Sequence, residues 1–167
     1  MGRTRKISIG FIVLLLLFLC IFAQSTPQGY VSKYLGIDCS RGIANEYINT
    51  HGGWHGDGST FIEIQFSNED FEKRICRTEG WKEFPLTENI SEIVYSVLNK
   101  EMTCEPWGPG EIPEIKDGYY YFENRYLEGE DKYDDSAIRG PYQRSFNYTI
   151  ALYDADTRTL YYCEEDF

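Results

Sequence analysis

A chain of 167 residues, 42% hydrophobic and 26% charged, carries enough apolar content for one packed core. Its formal charge of −11 repels phosphate backbones and anionic lipid alike, so nucleic acid is excluded as a partner.

The chain opens with MGRTRK, basic through Arg3, Arg5 and Lys6, followed by ISIGFIVLLLLFLCIFA, uncharged over residues 7–23. Residues 1–23 therefore read as a signal peptide, cut after Ala23 or after Ser25, or as an uncleaved N-terminal anchor with its basic end inside. The protein is expected to be secreted or attached to the outer face of the cell membrane, with membrane contact only through this segment. Bulky Leu19 before Cys20 does not suit a lipoprotein processing site. Cleavage takes away three cations and no anion, so the formal charge falls from −11 to −14.

Residues 24–33 are polar and read as a flexible lead to a single domain over 34–167. TFIEIQF at 60–66 alternates Ile62, Ile64 and Phe66 against Glu63 and Gln65, the period of a half-buried strand. A helix follows, with Ser67 as cap, Phe66 and Phe71 as a hydrophobic staple, and Gly80 as its stop. A second helix begins near Asn89, with Glu92 closing a capping box and Ile90, Ile93, Val94, Val97 and Leu98 on one stripe. Pro106, Pro109 and Pro113 interrupt regular structure over 101–117. Residues 118–125, 146–153 and 159–164 read as strands, the last two joined by the polar turn DADTR. Between them runs an acidic loop at 126–145. The expected fold is α+β: an antiparallel sheet of about four to five strands, two helices packed on one face, stabilised by disulfides.

Four cysteines lie beyond the N-terminal segment, Cys39, Cys76, Cys104 and Cys163. In an oxidising compartment an even set reads as disulfides, worth about 2–4 kcal/mol each. Of the three possible pairings the expectation is Cys39–Cys163 and Cys76–Cys104. No two are close enough for a CxxC redox or zinc motif.

The stretch THGGWHGDGST at 50–60 holds both histidines, His51 and His55, with Trp54, Asp57 and four glycines. These four residues are the binding candidates. Two histidines four apart share zinc on a helix, but Gly52, Gly53, Gly56 and Gly58 disfavour a helix there. On an extended strand they would stand about 13 Å apart, too far for one ion. HGGW is reminiscent of an oxyanion loop, yet no G-x-S-x-G elbow accompanies it. No G-x-x-x-x-G-K-[ST] loop occurs either. The favoured reading is a glycine-rich bend that leads into the 60–66 strand and can serve as a recognition loop. No catalytic residue, metal or cofactor is assigned.

THGGWHGDGSTF, IPEIKDGYYYFENR and FNYTIALYDADTRTLYYCE, with LGIDCS at 35–40, WKEFPL at 81–86 and DDS at 134–136, resemble a family of small exported proteins of Gram-positive, clostridia-like bacteria. Its pattern is HGG[FW]HGDG followed by YDxDTxTLYY. The resemblance covers most of the chain after residue 34 and implies export and one compact domain, with no activity attached.

The expected function is an exported, noncatalytic binding module for an unknown protein or small ligand, using the 50–58 loop and the 126–145 loop. The alternatives are a metal-dependent hydrolase built on His51, His55 and Asp57, and an immunity or inhibitor protein, which the acidic charge would suit.

Overall fold

The computed structural model describes residues 10–14, 26–52, 56–95, 112–137 and 147–166. Helix α1 (Pro27–Leu35) starts where Thr26 Oγ1 accepts the Gly29 N–H at 3.1 Å and Pro27 fills the first turn, in which a missing donor is harmless. Gly36, at φ +66°, ends it. Val31 and Leu35, one turn apart, are buried. Residues 27–33 of the expected flexible lead are thus helical, because two apolar side chains at i and i+4 dock the segment.

Six strands make one antiparallel sheet: β1 (Ile43–Asn49), β2 (Gly58–Gln65), β3 (Trp81–Glu83), β4 (Gly118–Asn124), β5 (Asn147–Asp154) and β6 (Thr159–Asp166), in the order β1-β2-β6-β5-β4-β3. The count exceeds the expected four to five because both edge strands lack a strong apolar period. β1 alternates exposed with half-buried residues and shifts register between Ala44 and Glu46, and β3 is three residues long. The four other strands fall within two residues of expectation.

Helix α2 (Asp70–Ile75) begins later than Ser67 would place it, after Glu69, whose side chain makes no capping bond. The staple holds: the Phe66 and Phe71 rings stack with centroids 4.0 Å apart. Helix α3 (Glu88–Tyr95) is capped by Thr87, whose Oγ1 accepts the Ile90 N–H at 3.3 Å. Asn89 instead donates to the Asp135 carbonyl at 3.0 Å. Val97 and Leu98 lie outside the described residues.

The two predicted helices cover opposite faces of the sheet, not one. On the first face, Ile62, Ile64, Ala151, Tyr153, Leu160 and Tyr162 pack with α1, α2 and Ile37. On the second, Phe61, Ile150, Leu152, Tyr161 and Cys163 pack with α3 and Ile115. Central strands β5 and β6 are buried on both sides, which is why residues 148–153 and 160–163 run apolar almost without interruption.

The expected stabilisation by disulfides is corrected as well. Cys39, Cys76 and Cys163 all carry thiols. Cys39 belongs to the first-face core and Cys163 to the second, with the sheet between them. Burial pushes the Cys39 thiol up to about 12. Cys76 is exposed, its Sγ 3.4 Å from the Tyr119 hydroxyl; its expected partner Cys104 lies outside the described residues. Among the described residues no helix is long and apolar enough to cross a membrane.

Candidate functional site

β1 and β2 are antiparallel neighbours, so THGGWHGDGST is the loop of their hairpin. Its two ends are pinched together. Thr50 N–H donates to the Ser59 carbonyl at 2.9 Å, and Ser59 N–H donates to Thr50 Oγ1 at 2.9 Å. Gly58 sits against the His51 backbone, where any Cβ would come within 2.6 Å of the His51 Cα. A side chain at 58 would force the hairpin apart, which gives this glycine a packing reason.

His51 stands at the base of that loop, and its ring is engaged by the protein itself. Nε2 lies 2.9 Å from Asp166 Oδ2, and Nδ1 lies 3.1 Å from Asn49 Oδ1 and 3.2 Å from Thr60 Oγ1. A carboxylate only accepts, so Nε2 donates to Asp166. The other Asp166 oxygen, Oδ1, accepts from Arg125 Nη2 at 2.6 Å. Arg125 Nη1 pairs with Glu164, and Nη2 also reaches the Glu165 carbonyl at 2.7 Å. Glu164, buried, accepts further from the hydroxyls of Tyr30 at 2.5 Å and Tyr162 at 3.0 Å. Burial, then the bond to Glu164, holds the Tyr30 phenol far above its usual range.

The strand directions place this network at one end of the sheet. Gly58 and Asn147 both pair with Asp166, and Asn124 pairs with Tyr148. The β1–β2 loop and the long β4–β5 connection therefore leave from the same end, on either side of the β6 terminus, about 14 Å apart at ~4.8 Å per strand. Asp166 joins their roots: one oxygen holds His51, the other holds Arg125.

On the second face Glu165 is 1% exposed. Its Oε2 accepts from Ser59 Oγ at 2.9 Å, and its Oε1 faces Cys163 Sγ at 3.8 Å. Burial pushes its carboxyl up to about 7.

Of the two binding candidates among the described residues, His51 enters this network and Asp57 does not. Asp57 is exposed and, among the described residues, makes no hydrogen bond; Trp54 and His55 lie outside them. The line Asp166–His51–Thr60 has the hydrogen-bond order of a relay, but Thr60 is fully buried, so its hydroxyl does not face solvent. Among the described residues no three His, Cys, Asp or Glu side chains are grouped to hold a metal ion. Sequence reasoning missed Arg125, Glu164, Asp166 and Tyr30. The available signal was a run of three acids closing an apolar strand at CEED, with Arg125 as the first cation after β4.

Comparison of the chain with protein-family models, with curated proteins and with solved structures finds no match.

Proposed function

We propose that the chain is an exported, noncatalytic interaction module that meets an unknown protein or small ligand with the two loops at the Asp166 end of its sheet. One observation carries this reading: a single carboxylate ties the roots of both loops, His51 on one side and Arg125 on the other. Loops held at their bases on a rigid sheet keep their tips free for recognition. The engagement of both His51 ring nitrogens within the protein favours an anchoring role over a chemical one. Export rests on the basic and apolar N-terminal pattern and on the family resemblance. An inhibitor or immunity role is a narrower form of the same reading, favoured by the charge of −11, which steers in a basic partner.

The test replaces residues 52–57 by a tight Asn-Gly turn and compares cross-linked partners of the two proteins on intact cells. Loss of a partner at unchanged melting temperature is the expected result. Identical partner sets would remove the loop from the role, and recovery of the protein only inside the cell would remove export.

A further inference from the structure

The two edges of the sheet are unlike. β3 is short, and the 3-10 turn Gly129–Tyr133 packs beside it: Lys82 Nζ donates to the Tyr133 carbonyl at 3.0 Å, and the Tyr133 ring abuts Gly80. β1 is seven residues long and, among the described residues, pairs on one side only. It also displays Ile43, 69% exposed, and Tyr47, 51% exposed. Edges of this kind are templates for another strand unless charge or shape blunts them. Among the described residues no cation pairs with the carboxylates of this edge. Glu46 lies directly opposite Glu63, a like-charged cross-strand pair of the destabilising kind, relieved among the described residues by Asn45 Nδ2 donating to Glu63 Oε1 at 2.9 Å.

We infer that β1 is a strand-addition site for an extended basic segment of another protein, one that lays a lysine or arginine beside Glu46 and an apolar side chain beside Tyr47 on the other face. The added strand would satisfy the outward backbone groups of β1, and its cation would turn a repulsive carboxylate pair into a bridged one. A second copy of this chain fits badly, because it would add two more glutamates to the same edge at a net charge of −11 per chain.

The test uses the whole protein and a short peptide alternating valine with lysine, against a matched peptide with glutamate for lysine. The expected result is saturable binding of the lysine peptide only, with new protection of β1 amides from hydrogen exchange. The Glu46→Lys variant should bind it about tenfold more weakly, as attraction becomes repulsion, and should accept the glutamate peptide instead. That exchange of preference separates recognition from misfolding. No binding, equal binding of both peptides, protection elsewhere than β1, or a dimer that covers β1 in sedimentation would each overturn the proposal. The loops of the Asp166 end take no part, so its failure leaves the role proposed for them untouched.

Discussion

Glu164 and Glu165 are consecutive in β6 and equally hidden, at 2% and 1% exposure, yet the alternation of the strand sends them to opposite faces and into opposite surroundings. Glu164 meets a guanidinium and two phenols. Glu165 meets one serine hydroxyl and a thiol; Arg125 reaches only its backbone carbonyl. Burial of a carboxyl thus has two outcomes within one dipeptide. With a cation bonded it is an ion-pair hub, and without one it is an acid held near neutrality.

The largest effect is expected on the paired face. Arg125→Ala leaves Glu164 buried without its cation and frees one arm of Asp166, which should cost roughly 3–5 kcal/mol in urea denaturation. A loss below about 1 kcal/mol would mean that water already carries the charge of Glu164.

On the unpaired face the expectation concerns pH. Burial raises Glu165 from 4.5 to about 7, so between these values the folded chain holds a proton that the unfolded chain has released. Stability should therefore fall as pH rises from 4.5 to 7, by up to roughly 3 kcal/mol, and level off above. Glu165→Gln keeps an acceptor for Ser59 and has no proton to lose. It should flatten that part of the stability profile and leave the variant the more stable protein at pH 8; a parallel profile would assign the slope to other groups.

Ser59→Ala sharpens the contrast further. It removes the hydrogen bond that favours the ionised form of Glu165, so it should cost about 1–2 kcal/mol at pH 8 and move the titration midpoint upward. Denaturation series across pH with the variant measure both. An unmoved midpoint would show that the hydroxyl does not reach the carboxylate in solution.

The smallest effect separates thiols from disulfides. Because Cys39 and Cys163 face opposite sides of the sheet and Cys76 carries a thiol, reductant should shift the unfolding free energy by less than about 0.5 kcal/mol, against about 2–5 kcal/mol for loss of a native bridge.

Strands β2, β4, β5 and β6 were legible because their periodicity or their apolar density survives without neighbours, as in TFIEIQF and TLYYCE. The Phe66–Phe71 staple was legible for the same reason, since both partners are local. Other elements were present as signals but outweighed. Thr26-Pro27 and Gly36 bracket α1 with a standard start and stop, yet the polar residues between them concealed a docking face in which Val31 and Leu35 are buried and Tyr30 and Tyr34 pack partly buried beside them. The uninterrupted apolar runs of β5 and β6 also signal a sheet covered on both sides, which places the helices on opposite faces.

The candidate site was half legible. The glycine-rich hairpin loop follows from composition, and the role of His51 does not. Its partner Asp166 is 115 residues away, and Arg125 reaches both Glu164 and Asp166 only because β4, β5 and β6 lie in that order.

By itself the amino-acid order determined the basic and apolar N-terminal pattern, the acidic balance, the central strands and the bend at 50–58, because each depends on side chains within a few residues of one another. Tertiary structure alone decided the strand order, the face each cysteine and glutamate occupies, and the meeting of His51, Arg125 and Asp166. Those are contacts across strands, and the register of distant segments is set by burying two faces of a sheet at once, a condition that no local stretch of sequence contains.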